Sequence, residues 1–506
     1  MKCRLPFCLL LPAIAASATA DPLVSDVSIR QEAAAKRLEV GYTLSGAPAV
    51  VTVTFSTNTA SDASGAWIPL RASDTSKVVG DAFRVVKTGV RKIYWLPDGE
   101  LAHLDAGAIK AEIKAWPTNA PPDYLVCDIV SGANWYYEDV GQLPGGIGSD
   151  DYRKHLFVMR KIPAKDKTWW MCAQPTSAGY DSTREYRHQV KLTNDYYMGV
   201  FEVTQWQWKN VMGADGSSFT FPVEGDLRPF EGRIPANSVW SGDQVWPTNS
   251  AGETVTAVGD KYFIGRLRMR TGLGERLFLP TEAQWEFACR AGQDHDFNDG
   301  GDVLSKDETT NPHLDLLGRY AGNGGIMGGG AEFLSGPSHG TARVGSYLPN
   351  AFGLYDMHGN VSEWCIDLFN KTEEHMIPLG WDSGEVLVNP LGDSADDIGY
   401  QTWRCARGGN WSSPPSACRA SDRSVAFQFW QTDCMKYCGF RMCLTLSNGE
   451  EQPSVSAAVA TGIKTAYASC QSNAGIELFD TRFKSRATGE ASSFSSEKLG
   501  LVFTIR

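Results

Sequence analysis

The sequence predicts an α+β chain in two parts: an all-β sandwich at the N-terminal end, then a larger domain with little regular secondary structure. Period-two apolar alternation confined to the first hundred or so residues is one basis for this. Another is the excess of Gly and Trp, 51 and 16 of 506 residues, which marks a loop-rich interior with many aromatic anchors. A third is the proline-rich stretch Trp116-Pro117-Thr118-Asn119-Ala120-Pro121-Pro122 between the two regions, which reads as a linker because proline stiffens the chain and donates to no ladder. At 42% hydrophobic and 21% charged, the composition excludes a disordered chain, a collagen and a coiled coil.

Residues 1–20 have the plan of a secretory signal. Lys2 and Arg4 precede the short apolar run Leu9–Ala16, and Ala18-Thr19-Ala20 offers a cleavage site. The run is far below the ~20 residues a spanning helix needs, so a secreted or periplasmic protein of bacterial type, without a membrane span, is expected. The net charge of −11 excludes nucleic acid as a partner. Cys3 and Cys8 fall in the signal, and the other ten of the twelve cysteines are expected to form disulfides in an oxidising compartment.

The sandwich is placed at 21–120. Leu38, Val40, Tyr42 and Leu44 alternate with polar or small residues, as do Val51, Val53 and Phe55, and Ile109, Ala111, Ile113 and Ala115. Short strands with turns such as Ser45-Gly46-Ala47-Pro48 suggest an immunoglobulin-like or fibronectin-like arrangement acting as a spacer or in adhesion. Residues 121–154 read as linker and entry segment, 155–446 as the main domain and 447–506 as a tail. The alternation of Leu501, Phe503 and Ile505 predicts a last strand there. Two helices carry capping boxes, Thr204 with Gln207 and Thr281 with Gln284, and are expected to stop at Gly213 and Gly292.

Five phrases occur in order across the main domain: Tyr197–Gln205, Leu279–Glu286, Asn350–Trp364 (with His358-Gly359-Asn360-Val361-Ser362-Glu363-Trp364), Arg407-Gly408-Gly409-Asn410-Trp411 and Gly439-Phe440-Arg441. Together they resemble the sulfatase-modifying-factor family, whose founding members are formylglycine-generating enzymes. The resemblance implies a fold related to C-type lectins, bound calcium, and oxidation of a sulfatase cysteine to formylglycine with O2 and copper held between two thiolates. The second thiolate position falls on Cys418 and the first on Ser413. Cu(I) is soft and takes thiolates, and a protonated hydroxyl is no substitute. Ser362 and Asn410 depart from the usual residues of the same pocket, where the enzymes carry Trp and Ser.

The resemblance places a calcium site on Asp356, Gly359, Val361 and Glu363, two carboxylates with two backbone carbonyls, a donor set that suits a hard cation. A hydrogen-bonded turn in which Glu363 pairs with an arginine is the other reading. The family's further calcium site falls at Tyr320-Ala321-Gly322-Asn323, where Gly322 takes a side-chain ligand's place. His358 reads as a structural hydrogen-bonder, and Arg407, Arg419, Arg423 and Arg441 as partners of buried carboxylates. Two functions follow. One is a calcium-stabilised binding or accessory module for a protein, peptide or glycan; the other is a formylglycine-generating oxidase acting on a sulfatase.

Overall fold

The structure is a computed structural model that describes residues 20–32, 36–58, 65–70, 77–97, 108–213, 227–230, 262–324, 340–369, 384–391, 403–423, 426–428 and 437–446. The signal segment up to residue 19, the tail 447–506, Cys434 and Cys470 lie outside the described residues. The chain divides into two compact units at Pro121 and Pro122, within the proline-rich stretch.

The N-terminal unit is all-β. Its strands are β1 (Leu23–Glu32), β2 (Arg37–Ser45), β3 (Ala49–Asn58), β4 (Trp67–Pro69), β5 (Val78–Gly80), β6 (Arg84–Val86), β7 (Gly89–Trp95) and β8 (Ile109–Pro117). One antiparallel sheet runs β1-β2-β7-β5; in the other, β3 pairs with β4, β6 and β8. The two sheets share one core, in which Val40, Tyr42, Val51, Phe55, Ile93 and Trp95 are buried. The alternation read in the sequence is the burial pattern of β2, where every second residue from Leu38 to Leu44 points inward. Phe55 stacks on Trp95 at 4.8 Å between ring centres, joining the two sheets.

The larger unit contains β9 (Tyr124–Asp128), β10 (Asn134–Tyr137), α1 (Asp151–Lys154), β11 (Leu156–Ile162), β12 (Lys167–Met171), β13 (His188–Leu192) and β14 (Tyr196–Gly199). After these come α2 (Gln205–Met212), α3 (Phe263–Thr271), β15 (Leu277–Phe278), α4 (Glu282–Arg290) and α5 (Leu314–Leu317). The last elements are β16 (Ser362–Phe369), β17 (Leu387–Val388), β18 (Trp403–Arg407), β19 (Ala426–Gln428), β20 (Cys438–Gly439) and β21 (Cys443–Thr445). Three small sheets result, in the orders β10-β9-β11-β14-β21-β15, β12-β13-β17 and β19-β18-β16-β20. Strands β9 and β10 fall within the stretch read as linker and entry segment and form one edge of the first sheet.

Both capping boxes are present. The Thr204 and Thr281 hydroxyls accept from the Gln207 and Gln284 backbone N–H groups, and the Gln side chains close back on the cap N–H. Helix α2 stops at Gly213 as expected, but α4 stops one residue before Gly292, with Ala291 taking the left-handed position. Helix α2 sends Trp208 into the core, where its ring stacks on Phe230 at 3.8 Å and Phe263 at 5.1 Å. On its buried side α4 packs Trp285 into a second core with Leu354, Met357 and Val190.

The expected disulfides are not formed among the described residues. Cys127, Cys172, Cys289, Cys365, Cys405, Cys418, Cys438 and Cys443 are all buried free thiols. They are distributed through the cores and pack there as small apolar groups.

Candidate functional site

The site is built where β18 ends. Beyond Arg407 the chain turns through Gly408 and Gly409, both with positive φ. A Cβ on Gly409 would lie 2.5 Å from the Ala417 carbonyl oxygen and 2.7 Å from the Cys418 sulfur, so only glycine fits. That close approach lays the Asn410–Ser413 turn on the short helical turn Pro415–Cys418. The Asn410 N–H donates to the Ser413 hydroxyl at 3.1 Å and also serves the Cys418 sulfur. The Asn410 side-chain amide donates to the Ser362 hydroxyl at 3.2 Å. Ser362, Asn410, Ser413 and Cys418, scattered over 57 residue positions, therefore form one hydrogen-bonded group.

Chemically the group is a quiet one. Cys418 is fully buried among Phe297, Val303, Leu314, Leu317 and Tyr320. Burial and the nearby Asp422 push its thiol well above the ordinary range, against the opposing pull of the Asn410 N–H. At neutral pH it is a thiol, and the position paired with it is a hydroxyl already engaged in hydrogen bonds. A thiolate pair for a soft metal is not what this arrangement offers.

His358 sits beneath the same turn. Its Nδ1 faces the Cys418 carbonyl oxygen at 2.8 Å, and its Nε2 accepts from the Asn298 N–H at 3.2 Å. Those partners fix the neutral tautomer with the proton on Nδ1. Burial pulls its pKa down to about 4, partly offset by the Cys418 carbonyl. The imidazole is a structural brace.

The Asp356–Glu363 turn lies alongside. Asp356, Gly359 and Asn360 all have positive φ, and a Cβ on Gly359 would meet the Arg319 carbonyl oxygen at 2.2 Å. Glu363 is held by Arg441, whose Nη2 and Nε approach its two oxygens at 2.5 and 2.6 Å, and by the Trp285 indole N–H at 2.7 Å. The arginine-paired reading of this turn is thus present. Asp356 differs: one oxygen accepts from the Gly345 N–H at 2.6 Å, while the other, Oδ1, is buried without a hydrogen bond. Burial pushes the Asp356 pKa up to about 6. In the other turn, Asn323 accepts from the Tyr320 N–H through its side chain and so caps its own backbone.

The four arginines do pair with buried carboxylates. Arg407 binds Glu286, Arg423 holds Glu282 at 2.6 and 3.0 Å, Arg419 grips Glu185 at 2.9 and 2.6 Å, and Arg441 takes Glu363. Of the acidic partners, the sequence pointed to Glu363 but not to Glu185, Glu282 or Glu286. Glu282 and Glu286 stand at i and i+4 on α4, and that spacing within the Thr-Glu-Ala-Gln phrase was the available signal.

Residues 168–446, more than half of the chain, match the family model of the sulfatase-modifying factor enzyme 1-like domain, and the chain belongs to that family. It is similar to the chaperone protein LppX of Paenibacillus barcinonensis, 27% identical over 247 residues, which is 46% of this chain and 75% of that protein. It is also similar to the formylglycine-generating enzyme of Mus musculus, 32% identical over 140 residues, 27% of this chain and 35% of that enzyme. Among solved structures, Treponema denticola variable protein 1 aligns with 57% of this chain and 95% of its own, at 22% identity and a TM-score of 0.38.

Proposed function

We propose that this protein is an extracytoplasmic binding or accessory module, built on the sulfatase-modifying-factor framework without the two-thiolate copper centre. The observation that carries this reading is the Ser413 hydroxyl, held by the Asn410 N–H beside Cys418, with Cys418 itself enclosed in an apolar pocket. Buried arginine–carboxylate pairs hold the framework. A relative named as a chaperone supports an accessory role. The partner is a protein, peptide or glycan, a sulfatase among them, and residues 1–20 direct export.

Asp356 and Glu363, with the carbonyls of Gly359 and Val361, are the proposed calcium ligands. The unpaired buried oxygen of Asp356 fits a hard cation. An ion bound there would neutralise Asp356, share Glu363 with Arg441 and hold the turn.

The oxidase reading rests on the family and on Cys418. Incubating the purified protein with Cu(I), O2 and a Cys-x-Pro-x-Arg peptide separates the two. The accessory reading expects no thiol-to-aldehyde mass loss by mass spectrometry; conversion would establish the oxidase.

A further inference from the structure

Strands β16 and β18 pair antiparallel, with Glu363 facing Arg407 and Trp364 facing Ala406. The register then shifts before Leu368 faces Arg404, so the one residue Cys405 stands opposite the three-residue segment that begins with Cys365. A bulge of this kind keeps facing residues of adjacent strands near the roughly 4.4–6.8 Å Cα window of a disulfide. Both side chains enter the same core, and each is at most 2% exposed. The Cys365 thiol lies within the electrostatic reach of Cys405, and both lie within that of Glu282 and Asp367.

Both thiols make long hydrogen bonds. Cys405 donates to Glu282 Oε2 at 3.4 Å, and Cys365 approaches the Glu363 carbonyl at 4.0 Å. Loss of the Cys405 proton would leave Glu282 held by Arg423 on both oxygens.

We infer that Cys365 and Cys405 are a redox pair that closes into a cross-strand disulfide when the chain folds in the presence of a disulfide donor such as oxidised glutathione. The thiolate of one cysteine attacks the donor disulfide and releases one glutathione thiol. The other cysteine then attacks the mixed disulfide and releases the second. The protein loses two protons and two electrons, and the donor is reduced to two thiols. Because both sulfurs are shielded from solvent in the folded domain, the exchange takes place as β16 and β18 come together. The bond closes a loop of roughly forty residues and ties the strand carrying Glu363 to the strand carrying Arg407.

The test is to refold the full chain with reduced and oxidised glutathione, block free thiols with N-ethylmaleimide under denaturing conditions without reduction, digest, and map by mass spectrometry. The expected product joins the peptides of Cys365 and Cys405, lighter by two hydrogens than the separate peptides. Alkylation of both cysteines, or linkage of either to another such as Cys172, would overturn the inference. As an independent readout, the oxidised protein should melt roughly 10 °C above the reduced one, and the gap should vanish in Cys405→Val. A gap unchanged in that variant would overturn it as well.

Discussion

Replacing Glu282 by glutamine should cost the larger domain a substantial part of its stability. Glu282 is 1% exposed and meets Arg423 at 2.6 and 3.0 Å, with Arg407 a further 3.5 Å from Oε1. Glutamine has nearly the same volume, so no cavity opens. It removes the charge, however, and turns an amide NH2 toward guanidinium N–H donors. Breaking a buried pair from one side typically costs about 3–5 kcal/mol, because the remaining charge has no water to return to. For a domain of this size that is a fall in Tm of about 10 °C. Urea denaturation followed by tryptophan fluorescence reads it directly. The penalty should also depend on pH. Burial pushes the Glu282 pKa up, but Arg423 and Arg407 outweigh burial and hold it below the usual glutamate value. A carboxylate with a lowered folded pKa contributes stability above its unfolded pKa and loses it as pH falls through the folded one. The gap between wild type and Glu282→Gln should therefore close in acid. A variant within about 1 kcal/mol of wild type at neutral pH would refute the ion-pair account.

Other expectations concern the turn beneath Cys418 and the proposed calcium site. His358 is held neutral, with its pKa drawn down to about 4. It should contribute stability above its unfolded value of about 6.5 that is lost as pH falls through the window between the two. Its ring resonances in NMR should show no titration near pH 6.5, and a midpoint there would contradict the burial. Asp356→Asn should abolish any rise in Tm on adding calcium to chelator-treated protein. A calcium response that survives in this variant would place the ion elsewhere.

The sequence was most informative where a structural rule has one period or one geometry. Strand β2 buries one face only, so its alternation from Leu38 to Leu44 is visible without coordinates. The capping boxes at Thr204 and Thr281 need a hydroxyl and a glutamine three residues apart, and both were legible for that reason. Strand β9 left no such trace, because Tyr124–Cys127 is buried on both faces and reads as a plain apolar run beside the prolines. Helix α3 is preceded by Tyr262, which offers no side-chain cap, and its arginines hide the apolar face. At the site, Ser413 and Cys418 were legible as positions in a phrase. Their convergence with Ser362 was not, since it depends on the Gly409 contact and on β16 pairing with β18. Nor did the sequence distinguish thiols from disulfides, because the number of cysteines carries no information about which of them meet.

Cu(I) titration of the reduced protein, with a chelator competing for the metal, bears most directly on the loss of the copper centre. The wild-type chain should take up no tightly held, stoichiometric Cu(I), and Ser413→Cys, which puts a second sulfur beside Cys418, should gain one equivalent. Stoichiometric uptake by the wild type that disappears in Cys418→Ser would contradict this.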